Sequence, residues 1–243
     1  VGDRPDGIAA RPAFTVARVD EELVLIGTNV GTLVSLDAAT GEIVDEVFVA
    51  DGTIHQIAAL DPAQQLLVAC MPSPRRSGVH VLDRGTGEAR LIEGGIGGRV
   101  TRLQGSADGW YLAYSAPMRN VRVGRVGAEM PLVRRLRELQ NTRDEVRAVD
   151  LRGARVALSI NDRLWAFDLE DPAADPSGVV LAHRGAVSQV RMLADGRSAL
   201  TTSADGRLTL RGLRTGVHTR TRMQSPGSHI SGFHVCPGGR GVV

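Results

Sequence analysis

His183, Ser203 and Asp205 are residue types that can carry acyl transfer: a base, a hydroxyl nucleophile and a carboxylate to orient the base. His229, His234 and Cys236 are the densest group of metal-ligand types, and His234 and Cys236, two apart, would share one face of a strand. Three such ligands could hold zinc together with a water. Asp37, Asp83 and Asp168 invite reading as a carboxylate set. Each group also has a plainer reading. Ser203 is the one nearby nucleophile suggested for the His183–Asp205 pair, and a dyad without a placed nucleophile is not a catalyst. The His/His/Cys spacing matches no structural zinc pattern and suits a strand with one inward histidine and a small buried cysteine. Each of the three aspartates ends a β-type run just before turn residues, where a carboxylate accepts hydrogen bonds from its own turn. The sequence therefore assigns no catalytic, cofactor-binding or metal residue.

The elements that would position these residues are legible from His183 to Gly216. The runs VSQVRML, SALTTS and RLTLRGL are separated by Asp195-Gly196 and Asp205-Gly206, closed by Gly216, and followed by VHTRTRM. Asp-Gly between β-type runs is a strong hairpin signal. The second run of this unit has counterparts beginning at Leu23, Leu66, Trp110, Arg155, Ser198 and Gly241, at spacings of 43, 44, 45, 43 and 43 residues. A steady period of ~40–50 residues is the mark of a repeated four-stranded unit. The third runs read TLVSLD, GVHVLD, NVRVGR, RLWAFD and RLTLRG, and Gly41, Gly87 and Gly216 follow three of them where a tight turn needs positive φ. The first runs carry apolar pairs three apart, such as Ile54/Ile57 and Val187/Val190. The second runs are nearly all apolar, as strands buried on both faces are.

The expected fold is all-β: a single domain over residues 1–243, built of four-stranded antiparallel units at 11–50, 53–95, 99–142, 145–183 and 186–225, with an incomplete sixth at 229–243. Three stretches break the beat. Met71 to Gly78 reads as a long Pro/Ser-rich connection between second and third strands. Gly94 to Gly98 reads as a flexible link between units, and Pro131 to Glu145 reads as a fourth strand with its loop.

The stretch around His183, Asp195-Gly196, Ser203-Ala204-Asp205-Gly206 and Arg214-Thr215-Gly216 resembles a WD-repeat. Arg211-Gly212 occupies the place of the name-giving Trp-Asp pair. The resemblance implies a β-propeller whose blades each pack on their neighbours, and His183 with Asp205 resembles the His–Asp part of that family's hydrogen-bond network within a blade. It implies a non-catalytic protein-interaction scaffold, here part of a larger bacterial regulatory or signalling chain with further blades outside this sequence. Gln56, Arg102, Arg147 and Gln189, near the inner strands, are the candidate interaction rim. Ser35 to Val44 and Val81 to Leu91 are also similar to repeats of quinoprotein dehydrogenases, which gives an enzyme as the alternative. Against that alternative stand the two tryptophans of the whole chain and the lack of an adjacent cysteine pair.

Composition narrows the classes further. With 243 residues, 42% hydrophobic and 23% charged, the chain is ordinary for a globular protein, and a net charge of +2 implies no strong general attraction to nucleic acid or membrane. All 29 basic residues are arginine. Schiff-base and P-loop lysine chemistry are thereby excluded. Two cysteines, Cys70 and Cys236, make no disulfide framework. Arg75-Arg76 and Arg134, Arg135 and Arg137 form basic groups, yet none of the eight aromatic residues interleaves them, so a solvated loop or an acidic protein partner fits better than nucleic acid. No membrane-length apolar run and no signal peptide are present, and a cytoplasmic location is expected.

Overall fold

The computed structural model describes residues 13–18, 22–61, 64–115, 120–127, 146–160, 162–171, 177–181, 183–213, 218–223, 230 and 233. They form five antiparallel sheets in which consecutive strands are neighbours. The first sheet holds β1 (Ala13–Arg18), β2 (Leu23–Thr28), β3 (Thr32–Asp37) and β4 (Ile43–Phe48). The second holds β5 (Thr53–Asp61), β6 (Gln65–Ser73), β7 (Arg76–Asp83) and β8 (Ala89–Gly97). The third holds β9 (Arg102–Gly105), β10 (Trp110–Ser115) and β11 (Asn120–Arg125) among the described residues. The fourth holds β12 (Val146–Arg152), β13 (Arg155–Ile160), β14 (Arg163–Asp168) and β15 (Ser177–Leu181). The fifth holds β16 (Val187–Met192), β17 (Ser198–Ser203), β18 (Arg207–Gly212) and β19 (His218–Met223). The chain divides into two compact units, Val1–Gly127 with the first three sheets and Ala128–Val243 with the last two.

Two irregular stretches are strand after all. Met71 to Gly78 is a tight hairpin: β6 runs to Ser73, Ser73 pairs with Arg76, and only Pro74 and Arg75 turn the chain. Pro72 is tolerated because the register slips between Cys70 and Ser73, and a bulge releases N–H groups from the ladder. Gly94 to Gly97 belongs to β8, where two slips accommodate the glycines and Ile96 is fully buried. The expected fourth strand between Pro131 and Glu145 lies outside the described residues.

Packing follows the apolar pattern. In β6, Leu66 to Cys70 are all buried, and every residue of β10 is buried. In the first unit, Leu25, Leu33 and Val49 pack on Ile54, Leu66 and Val68, while Leu67, Ala69 and Val79 join Val100, Leu103 and Tyr111. In the second unit, Ala157, Leu164 and Ala166 pack on Val187, Val190 and Ala199. Each fully buried aliphatic side chain contributes roughly 1.5–3 kcal/mol, so most of the stability resides between sheets. Two glycines set the approach distance. A Cβ on Gly27 would stand 2.4 Å from Ile54 Cγ2, and one on Gly105 would stand 2.5 Å from the Ala59 carbonyl oxygen.

A bulge recurs in the first strand of four sheets. The register slips between Ala13 and Thr15, Ile54 and Gln56, Val146 and Ala148, and Val187 and Gln189. The residues set out of the ladder are Phe14, His55, Arg147 and Ser188. His55 uses this position to clasp two sheets. Its ring is 1% exposed, and the Val100 N–H donates to Nε2 at 3.1 Å. Nδ1 therefore carries the proton and donates to the Thr53 carbonyl at 3.2 Å. Burial, with a smaller contribution from the nearby Arg99 charge, holds the His55 pKa below its ordinary value of 6.5.

Two predictions follow from this packing. Gly27→Ala should destabilise by about 1–3 kcal/mol, because overpacking a filled contact costs that much. Gly41→Ala, at φ +73° with open space around it, should cost only about 1 kcal/mol of backbone strain. Urea unfolding of both variants checks this, and a loss for Gly27→Ala well below about 1 kcal/mol would refute the close approach of β2 to Ile54. The second concerns pH. Above about 6.5 His55 is neutral folded and unfolded, so it adds no pH dependence; below that value the unfolded chain binds the proton first and stability falls. His55→Gln keeps an acceptor for the Val100 N–H, so its melting temperature should drop less between pH 7 and pH 5 than that of the wild type. A slope unchanged by this substitution would show that the clasp does not titrate.

Candidate interaction surface

Every sheet has two ends. One carries the hairpins joining first to second and third to fourth strands, here the turn end. The other carries the second-to-third hairpins and the passages to the next sheet, here the link end. Chemistry-bearing residues sort between them.

At the turn end of the first unit, Asp37 and Asp83 do the same task with the same partners. Asp37 Oδ1 accepts from the Ala39 and Thr40 N–H groups at 2.9 and 2.7 Å, and Asp83 Oδ1 accepts from Gly85 and Thr86 at 2.9 Å each. The Thr40 and Thr86 hydroxyls accept from Glu42 and Glu88 at 3.2 Å. Gly41 and Gly87 both sit at φ +73°, the left-handed region that glycine enters freely. Hydrogen bonds from the Thr40 and Thr86 backbones are the main reason both carboxyls stay below their ordinary value of 3.8. The recurring D-x-x-T-G-E phrase is thus a turn. The same residues carry the similarity to quinoprotein repeats.

At the turn end of the second unit, Asp168 accepts from the Glu170 N–H at 3.1 Å and faces Arg155 Nε at 3.5 Å. Arg155 Nη1 also donates to the Gly196 carbonyl at 2.9 Å, joining fourth and fifth sheets. Asp195 Oδ1 accepts from the Arg197 and Ser198 N–H groups at 2.9 and 3.0 Å, with Gly196 at φ +58°. Burial works against ionisation of Asp195, but these N–H groups and the Ser198 hydroxyl outweigh it and lower its pKa. Gly216 lies outside the described residues, as do His229, His234 and Cys236. Among the described residues no group of three or more His, Cys, Asp or Glu could hold a metal.

The link end of the second unit holds the group centred on His183. Its side chain is 0% exposed. Nδ1–H donates to Asp205 Oδ1 at 3.2 Å, and the Thr201 hydroxyl, 2.9 Å from Nε2, donates to it. Asp205 also accepts from the Ser203 hydroxyl, from the Arg184 N–H at 3.1 Å and from the Arg207 N–H at 3.1 Å. Gly206 closes the turn at φ +72°. Burial pushes His183 below its ordinary pKa against the pull of Asp205, and the Arg211 charge adds to the lowering. Arg211, standing where the resemblance would place tryptophan, therefore helps keep the imidazole neutral. The three residues that could have formed a hydrolytic set spend their hydrogen bonds on one hairpin. Ser203 is bonded to Asp205 and lacks a base, and no substrate can reach a sealed imidazole.

The four rim residues lie at the link end, near the starts of first strands. Gln56, Arg102 and Gln189 are half-buried, and Arg147, on its bulge, is exposed. Arg102 Nε donates to Gln104 Oε1 at 3.2 Å, and Gln189 Oε1 accepts from the Phe233 N–H at 3.2 Å. Gln56 and Arg102 belong to the first unit, Arg147 and Gln189 to the second. Sequence reasoning missed His55 and Asp150. Asp150 is 5% exposed and ties fourth to fifth sheet, accepting from Arg191 Nη1 at 3.0 Å and the Met192 N–H at 2.7 Å. A polar residue beside the apolar pair of a first run, as in Ile54-His55-Gln56-Ile57, was the available signal.

No protein-family model and no characterised protein sequence matches the chain. Solved structures do. A chain of the mitotic checkpoint complex superposes with a TM-score of 0.68 at 12% identity, over 97% of this chain and 72% of that one. Kluyveromyces lactis Hsv2 gives 0.63 at 13% identity, over 87% and 63%. The β-propeller domain of Myceliophteria thermophila Cps50 (Swd1) gives 0.59 at 15% identity, over 82% and 65%. This chain thus spans less than two thirds of the last two. Five antiparallel sheets, His183 hydrogen-bonded to Asp205, and these superpositions together give the chain a WD40-like β-propeller fold.

Proposed function

We propose that the chain is a protein-interaction scaffold without catalysis of its own, the propeller part of a larger bacterial regulatory protein whose remaining blades lie outside this sequence. The observation that carries the reading is the employment of the reactive side chains. Asp37, Asp83 and Asp195 cap turns, His55 and Asp150 clasp sheets, and His183 with Ser203 and Asp205 closes one hairpin. Side chains committed to holding backbone in place leave a rigid body whose strand ends are available for recognition. The regulatory setting and the bacterial source are supported by the arginine-only basic composition and the resemblance alone. On this reading the docking surface is the link end of each unit, with Gln56 and Arg102 at that of the first and Arg147 and Gln189 at that of the second. Among the described residues no helix is long and apolar enough to cross a membrane.

The test is affinity capture with the full chain against a variant carrying Q56A, R102E, R147E and Q189A. The wild type should retain a defined protein partner that the variant loses while still unfolding in one cooperative transition. Equal capture by both would remove the rim from the proposal. Quinone-dependent dye reduction by the chain incubated with pyrroloquinoline quinone would replace the scaffold with an enzyme.

A further inference from the structure

Charge in the first unit is segregated by end. The turn end carries Asp37, Glu42, Asp61, Asp83, Glu88 and Asp108, interrupted by Arg84, Arg90 and Arg125. The link end carries Arg75, Arg76, Arg99 and Arg102, with Asp51 as its exposed carboxylate. Arg75, Arg76 and Arg99 are exposed, and among the described residues none of the three has a carboxylate partner.

These arginines also share one rigid support. Arg75 sits in the β6–β7 turn and Arg76 begins β7, paired with Gly97 of β8. The Gly98 N–H donates to the Arg75 carbonyl at 3.2 Å, which fixes the β6–β7 turn against the passage that carries Arg99. The passage is held twice more: the Ser77 hydroxyl donates to the Gly98 carbonyl at 2.7 Å, and the Ser115 hydroxyl donates to the Gly97 carbonyl at 2.6 Å. The Val100 N–H to His55 bond secures its far side. The backbone under the cations is therefore ordered before any ligand arrives, so binding loses little main-chain entropy.

We propose that the ledge formed by Arg75, Arg76 and Arg99 docks an acidic peptide segment of a protein partner. The proposal rests on the scaffold reading and gives that scaffold a surface and a partner class. Guanidinium groups suit carboxylates, which they meet in paired hydrogen bonds. A protein carboxylate run fits better than nucleic acid on two grounds. Arg75, Arg76 and Arg99 are a short ledge without an exposed aromatic among them for bases to stack on. The acidic turn end of the same unit would also repel a long polyanion, whereas a short segment can seat on one end alone.

Fluorescence anisotropy with a labelled, alternating Glu-Asp dodecapeptide tests this on the full chain. Oligothymidine of equal formal charge is the second probe. The wild type should bind the peptide in low salt and release it as salt rises, as exposed ion pairs do. The triple variant R75E/R76E/R99E should weaken binding by tenfold or more, about 1.4 kcal/mol. R75Q/R76Q/R99Q should weaken it too, and guards against misfolding of the charge reversal. R84E/R125E, at the turn end, should bind as the wild type does. No peptide binding, or binding untouched by the ledge variants, overturns the proposal. Equal or tighter binding of oligothymidine with the same loss overturns it in favour of nucleic acid. If the ledge variants retain a protein partner captured by the wild type, the ledge fails while the scaffold reading stands.

Discussion

Within each unit the structure depends on how closely one sheet can approach the next. A four-stranded meander has two faces and cannot bury either by itself; only stacking removes both from water. At the contact of the first two sheets the backbone of β2 comes so near Ile54 that Gly27 has no room for a methyl group. At the contact of the second and third sheets, Gly105 meets the Ala59 carbonyl in the same way. Such contacts leave no space for an aromatic filler, which agrees with a composition of only 3% Phe, Trp and Tyr. At one aromatic the opposing residue is reduced to glycine: Tyr111 lies over Gly124 on the adjacent strand, its ring 2.8 Å from where a Cβ would stand.

Close approach also dictates which polar groups are needed. Passages between stacked sheets carry main-chain donors and acceptors that lose water and must be paired inside the protein. Here side chains supply the partners: His55 for the Val100 N–H, and Ser77 and Ser115 for the Gly98 and Gly97 carbonyls. These residues resemble an active-site inventory only when the backbone they serve is overlooked. Burial lowers the pKa of both His55 and His183, yet one joins two sheets and the other one hairpin.

Two kinds of information were legible in the sequence, and a third was not. Apolar continuity marked the second strands, since burial on both faces leaves nothing to alternate; the structure begins β2, β10, β13 and β17 at Leu23, Trp110, Arg155 and Ser198 and begins β6 one residue before Leu66. Turn chemistry marked Asp37, Asp83, Asp195 and Asp205, because Asx geometry is set by a few neighbouring residues. Bulges were not legible. A bulge depends on the partner strand as well as its own, so Pro72 and Ser73 read as loop when β6 in fact continues through them, and Gly94-Gly95 reads as a link when β8 absorbs it. The clasp made by His55 was hidden for the same reason: its acceptor role is created by a passage 45 residues away.

The same distinction separates the two ends of the first unit. Carboxylates at its turn end have a local cause, since Asp37 and Asp83 are required by the hairpins they cap. Among the described residues no such local cause accounts for Arg75, Arg76 and Arg99 at the link end. The β6–β7 turn is held through backbone atoms of Arg75 and Gly98, which any residues would supply, and the guanidinium groups of Arg75, Arg76 and Arg99 contribute nothing to it. Like charges gathered on one ledge repel one another and cost stability. An arrangement that the fold does not need, and that works mildly against it, is where recognition is to be sought, whereas the richer chemistry around His183 and Asp205 is already consumed in holding the fold together.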